Sequence, residues 1–168
     1  NDSNKYILFH QTGNYSSPVL SSYEIYYSII DITHDNGLGE VLSKNNIILN
    51  GLFGWGLSAC KHGNGRDWWV IAINEYGNTI EKFLVTPDTI KYEGSQIIQV
   101  PAYLGFAAQV TFSPDGNKFA YIHGTPNQPT QNYIINARLL DFDRCDGTFS
   151  NPVVINLPDS TVSFSTAF

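Results

Sequence analysis

The densest gathering of chemically capable side chains is the stretch from His62 to Trp69, where an imidazole, a guanidinium, a carboxylate and two indoles surround the dipeptide Asn64-Gly65. His62, Asn64, Arg66, Asp67 and Trp68 could form a ligand-binding lip. The plainer reading, and the preferred one, is a structural hairpin. There Asn64-Gly65 supplies positive φ, Arg66 and Asp67 tie adjacent loops, and one tryptophan packs inward while its neighbour faces the other side.

A second concentration is Asp141, Asp143 and Asp146, followed by Gly147. Calcium binds where several carboxylate oxygens converge from a turn, which makes this a candidate metal site, but the spacing departs from the familiar loop. The competing reading is a strand end whose acids accept backbone hydrogen bonds or pair with Arg138 or Arg144.

The remaining reactive residues are scattered. His10, His34, His62 and His123 each stand alone, so converging zinc ligands are not indicated. Cys60 and Cys145 fall on consecutive repeat units, one in an inner strand and one in an outer turn, and are expected as free thiols. Gly56-Leu57-Ser58-Ala59-Cys60 lacks the second glycine of a nucleophile elbow, and Gly63-Asn64-Gly65 is too short to cradle phosphate. No cofactor is expected. Trp55, Tyr76, Tyr92 and Tyr103 lie near loops, where an aromatic face could stack on a sugar ring, although most aromatics in such a chain fill its core.

These residues have to be positioned by strands. Ten Tyr, ten Phe and three Trp stand among many Val, Ile and Thr, and no segment carries a sustained apolar repeat at helical spacing. Three strands end alike, at Ile30-Asp31, Val85-Thr86 and Leu140-Asp141, and Ile30, Val85 and Leu140 are separated by 55 and 55 residues. Each is followed by a turn and another apolar strand: Val41 to Leu49, Gln96 to Val100 and Val153 to Leu157. Before the second and third lie hairpins, Leu57 to His62 turning at Asn64-Gly65 into Trp68 to Ile73, and Gln109 to Ser113 turning at Asp115-Gly116 into Phe119 to His123.

The result is a repeating four-strand unit, the pattern of propeller blades rather than of a sandwich. The expected fold is all-β: a partial β-propeller of about three four-stranded antiparallel blades. Residues 1–53 make a blade lacking its first strand, 54–105 and 106–158 make complete blades, and 159–168, including Val162 to Phe168, supply the first strand of the next. Three blades would leave apolar faces in water, so the partner is expected to be the remainder of the same propeller or a second copy closing a six-blade ring.

Composition excludes other classes. The chain of 168 residues is 42% hydrophobic and 14% charged, too apolar for disorder. A net charge of −6, with nine Lys plus Arg scattered singly, argues against nucleic acid. Apolar runs are strand-sized, so no membrane insertion is expected. Met is absent, position 1 included, which fits a processed chain or an internal fragment.

Phe112-Ser113-Pro114-Asp115-Gly116-Asn117-Lys118-Phe119-Ala120-Tyr121 resembles the hairpin of WD40-like propellers of the TolB/PD40 type. Cys60 to Trp69, Tyr27 to Asp31 with Gly37 to Val41, and Asp141 to Gly147 together resemble propeller regions of secreted Bacteroidetes proteins that carry type IX secretion sorting domains. The resemblance implies export to the cell surface or beyond, and that a further Ser-Pro-Asn-Gly hairpin would follow Phe168. It brings no catalytic residues.

The leading expectation is therefore a non-enzymatic secreted or cell-surface scaffold binding a protein or glycan. One alternative is part of a propeller hydrolase or lyase with its site in the central channel. Another is a lectin-like oligomer. Leu57 to Cys60, Gln109 to Ser113 and Val162 to Phe168, the strands that would line a channel, contain no Asp, Glu, His, Lys or Arg, which weighs against chemistry there.

Overall fold

The computed structural model describes residues 4–13, 22–127 and 132–157. These form ten strands: β1 Lys5–Gln11, β2 Ser22–Asp31, β3 Glu40–Lys61, β4 Trp68–Asn74, β5 Thr79–Val85, β6 Ile90–Ile97, β7 Phe106–Phe112, β8 Lys118–Asn127, β9 Asn132–Asp143 and β10 Thr148–Asn156. The only helical feature among the described residues is a 3-10 turn at Asp35–Gly37. The chain is all-β, with every pairing antiparallel between sequence neighbours. It forms one sheet of six strands in the order β1 to β6 and one of four, β7 to β10, and neither sheet closes on itself.

Strand β3 explains how six strands make two layers. Its 22 residues would span about 70 Å if straight, more than a domain of this size can hold. It changes partner instead, with Phe53 opposite both Ser22 on β2 and Asn74 on β4. The ladder to β4 shifts register between Phe53 and Leu57, where Gly54 and Gly56 leave room for the backbone to bend.

The alternation of β4 then sets the packing. Val70 and Ala72 face a core with Ile25, Phe53 and Phe83, against which Phe9, Leu49 and Leu57 pack. Trp69, Ile71 and Ile73 face the opposite core with Val110, Phe119, Tyr121, Leu140, Phe142 and Phe149 of the four-stranded sheet. Both faces of β4 are thus buried, and the described chain is three layers deep: β1, β2 and the start of β3; the end of β3 with β4 to β6; and β7 to β10. Each fully buried large side chain contributes about 1.5–3 kcal/mol relative to exposure.

The predicted hairpins form at the predicted turns. Gly65 donates to the His62 carbonyl at 2.9 Å and Gly116 to the Ser113 carbonyl at 2.8 Å. Both glycines have φ of +73°, the left-handed geometry that ends a type I turn in a bulged hairpin. Two strands need correction: the strand expected at Val153 to Leu157 is β10, which begins at Thr148 and ends at Asn156, and the last strand of the middle unit lies further from its expected place. Gln96 to Val100 was expected as the last strand of the middle unit, but β6 begins at Ile90 and ends at Ile97. The Thr86 hydroxyl caps the tight turn by accepting from the amides of Asp88 and Thr89, so extended chain resumes at once. The half-buried positions Ile90, Tyr92, Gly94 and Gln96 alternate along it, a sparser signal than the apolar run that follows. The expected strand from Val162 to Phe168 lies outside the described residues.

Candidate functional site

The five residues of the expected lip lie together on the β3–β4 turn, and their polar atoms are spent largely on one another. The Asn64 side-chain oxygen accepts from the amides of Arg66 at 2.9 Å and Asp67 at 3.0 Å, and its amide nitrogen donates to Asp67 at 2.7 Å. Arg66 donates to both Asp67 oxygens, at 2.8 and 3.2 Å. These donors, the Arg66 guanidinium foremost, hold the Asp67 carboxyl below the usual carboxylate range. His62 accepts from the Asn64 amide at 3.0 Å and stacks on Trp69 with ring centroids 5.5 Å apart.

The tie to the turn at Arg144 is made through that residue's backbone carbonyl and not by Arg66 and Asp67 as expected. The carbonyl of Arg144 accepts from the Gly63 amide at 2.8 Å and from the Trp69 indole at 2.9 Å. Trp69 is buried, whereas Trp68 on the opposite face is 42% exposed with the Lys61 ammonium 5.7 Å above its ring. Trp68 and Arg66 line the wall of a cleft of about 620 Å³ between the first two layers, together with Lys5, Lys61, Pro87 and Asp88. A second slot of about 540 Å³, between β1 and the end of β3, shares Lys5, Ile7, Trp68 and Val85 with it.

Asp141, Asp143 and Asp146 are not brought together. Asp141 takes hydrogen bonds from Asn151 at 2.9 Å and from Lys118. Asp143 accepts from the Cys145 amide at 2.7 Å, and Asp146 from the Thr148 amide and hydroxyl at 2.9 and 2.6 Å. Asp143 and Asp146 work as turn caps at a strand end, whereas Asp141 is engaged by side chains alone. Among the described residues no three His, Cys, Asp or Glu side chains stand as a group able to hold a metal ion. The cation beside Asp141 is Lys118, and not Arg138 or Arg144 as expected.

Cys60 and Cys145 are unbridged, the first buried and the second exposed, and burial pushes the Cys60 thiol up to about 12. His34 pairs with Glu40 at 3.1 Å, and His10 stacks on Tyr26 at 5.3 Å. Of the aromatics near loops, Trp55, Tyr76 and Tyr103 are exposed, while Tyr92 packs on Phe83 and donates to Glu81 at 2.7 Å.

A buried polar cluster among the described residues joins the second and third layers. Arg138, 1% exposed, donates to the carbonyls of Gly77 at 2.5 Å and Pro101 at 2.9 Å and to the Asn136 side chain at 2.8 Å. The Tyr121 hydroxyl also donates to Gly77, at 2.5 Å. His123 contacts the Glu75 carbonyl through Nε2 at 3.3 Å and the Arg138 guanidinium through Nδ1 at 3.4 Å, which assigns a neutral ring protonated on Nε2. Burial, and secondarily the Arg138 charge, lowers its pKa to about 4. Period-two phase carried the missed signal: Arg138 shares one face of β9 with Leu140 and Phe142, so a strand drawn with that alternation places it inside.

No family model matches the chain, and no curated protein matches it. Among solved structures it is similar to a Bacteroides fragilis protein provisionally described as a 6-phosphogluconolactonase, with 10% identity and a TM-score of 0.36. That likeness covers 91% of this chain and 56% of the other, so the chain spans little more than half the length of the protein it matches.

Proposed function

We propose that the chain is a run of β-propeller blades, three in number, within a larger ring, and that it serves as a non-enzymatic secreted or cell-surface scaffold. It binds a protein or glycan partner at the cleft beside Trp68. The propeller reading is supported by the burial of both faces of β4, since blades stacked around an axis need inner sheets covered on two sides and a two-layer sandwich does not. The secreted setting is supported by the motif resemblance alone.

The observation that carries the binding reading is the contrast between the two indoles. Trp69 is consumed by the core, while Trp68 holds a broad apolar face toward a cleft rimmed by Lys5, Lys61 and Arg66. An exposed indole among cations can stack on a sugar ring or an aromatic side chain and attract an acidic group. A scaffold role is supported as well by the way His62, Asn64 and Asp67 are used, as turn-builders rather than groups aimed at a substrate.

The test is a fluorescence titration of the intact chain with soluble neutral and acidic oligosaccharides and with acidic aromatic peptides. Saturable change in tryptophan emission, lost in Trp68→Ala, is expected. Binding that survives Trp68→Ala, or none to any probe, overturns the assignment of the cleft, and turnover of a bound oligosaccharide replaces it with the hydrolase or lyase reading.

A further inference from the structure

Cations are few in this chain, nine Lys plus Arg against fifteen Asp plus Glu. Four of the nine, Lys5, Lys61, Arg66 and Arg144, line two hollows that meet at Trp68. The first is the cleft of about 620 Å³. The second, of about 400 Å³, lies where the end of the β3–β4 hairpin meets the β7–β8 hairpin, and Lys61 and Trp68 line both. Two acids, Asp88 and Asp115, line the pair, and a third, the buried Asp67, is matched to Arg66 at 2.8 Å. Even with all three counted, positive charge is in excess here, on a chain whose net charge is −6.

The cations are held close to the indole. Lys61 stands opposite Trp68 in the β3–β4 ladder, its ammonium 5.7 Å from the ring centre. Arg144 is tied to the same hairpin by its carbonyl, which accepts from Gly63 and from the Trp69 indole. A Cβ on Gly116 would lie 2.7 Å from Cδ of Arg144 and 3.5 Å from Cβ of Cys60, so the Arg144 side chain runs beside the residue that precedes Lys61. Elsewhere on the surface Lys91 and Lys118 pair with Glu93 and Asp141. Among the described residues no acid stands within ion-pair distance of Lys61 or Arg144.

The lining of the second hollow selects among anionic ligands. Ser58, Thr111 and Ser113 share its wall with Lys61 and Arg144, and no Leu, Ile or Val lines it. Phe112 is packed against Phe119 and Phe142. The carboxylate of Asp115 is taken up by the Ser113 hydroxyl and by the amide and side chain of Asn117. A peptide finds no apolar pocket there to anchor a side chain, whereas hydroxyls and carboxylates find polar and cationic partners. Each hollow falls within the range of about 300–1,000 Å³ that holds a compact organic ligand, so the pair suits a chain of rings rather than a single one.

We propose that the Trp68 cleft and this hollow form one groove for a linear oligosaccharide whose sugars carry carboxylates. A sugar ring lies on the indole, and Arg66, Lys61 and Arg144 take the carboxylates along the chain. This rests on the reading of the Trp68 cleft as the binding site, which it narrows to an acidic glycan.

The experiment is isothermal titration calorimetry of the full chain with α-1,4-linked galacturonate disaccharide and hexasaccharide, with neutral maltohexaose and with hexaglutamate. The galacturonate hexasaccharide should bind about tenfold tighter than the disaccharide and than either control, and its affinity should fall about tenfold between about 50 and 500 mM salt. Arg144→Gln keeps the carbonyl that ties the turns together, so it should retain the far-ultraviolet spectrum and bind the hexasaccharide about tenfold more weakly. Lys61→Gln, on the other hairpin, should lose as much, so the test does not depend on one variant folding. Maltohexaose or hexaglutamate binding as tightly as the acidic sugar, or both variants binding it like the wild type, overturns the proposal. Where such binding is still lost in Trp68→Ala, the reading of the cleft stands. Binding of no probe, or binding indifferent to Trp68→Ala, overturns both.

Discussion

Nη1 of Arg138 donates to the carbonyl oxygen of Gly77 at 2.5 Å, from the four-stranded sheet to a turn of the six-stranded one, across 61 residues of sequence. The guanidinium is buried at the seam and takes up acceptors from Gly77, Pro101 and Asn136 at once, so it fastens β9 to the β4–β5 turn and to the β6–β7 connection. At the outer side of the same seam Gln96 exchanges two hydrogen bonds with the Phe149 backbone, at 2.6 and 2.9 Å.

Replacing Arg138 with Met keeps much of the volume and leaves the Pro101 carbonyl and the Asn136 side chain without this donor. Gly77 retains the Tyr121 hydroxyl. The expected loss is about 3 kcal/mol in urea denaturation, from stranded buried acceptors rather than from lost charge. A loss below about 1 kcal/mol would show that the clasp is dispensable.

Gly77 and Gly65 both have left-handed φ, of +74° and +73°, but differ in surroundings. A Cβ at Gly77 would lie 2.3 Å from His123 and 2.7 Å from Arg138, whereas one at Gly65 meets nothing within 4 Å. Gly65→Ala should cost about 1 kcal/mol from backbone strain alone. Gly77→Ala should cost about 3 kcal/mol or more, or prevent folding. Equal melting-temperature shifts would contradict the packing of the cluster.

Acid should weaken the fold through His123. Its folded pKa, about 4, lies below the ordinary 6.5, so the unfolded chain takes up a proton before the native one does. The neutral ring's contribution is complete above about pH 6.5 and is lost progressively as pH falls toward 4, up to about 3 kcal/mol. Urea midpoints measured between pH 7.5 and 4.5 should fall less steeply for His123→Gln than for the wild type. Identical slopes would mean the ring is solvated.

The two thiols should behave differently toward a maleimide at neutral pH. Cys145 is exposed and should label within minutes, while Cys60, buried with its thiol pushed up to about 12, should label only on unfolding. Mass spectrometry should find one adduct per native chain, and rapid double labelling would mean that the seam between the sheets is open.

Much of the strand pattern was legible because turn chemistry and alternation agree: Asn64-Gly65 and Asp115-Gly116 each sit between apolar runs, and both form the turns they signal. β6 was misplaced because its alternation is spread over Tyr, Gly and Gln, which carry little apolar contrast. The joining of two units through β3 was hidden, since a strand that changes partner at Phe53 looks like two strands divided by glycines. The polar groups from His62 to Asp67 were visible, but whether they face a ligand or each other depends on three-dimensional closure of the turn. Trp68 and Trp69 were separable by period two, and Arg138 would have been.

The most direct test is residue-level amide exchange along β1 in the purified chain, followed by NMR. β2 protects one alternate set of β1 amides and leaves the other facing the edge that has no partner strand among the described residues. If the edge is covered by further protein of the same kind, both sets of amides should exchange at least a hundredfold more slowly than an unstructured chain. Exchange of the outward set at open-chain rates, in a protein that stays soluble and folded as a single copy, would contradict it.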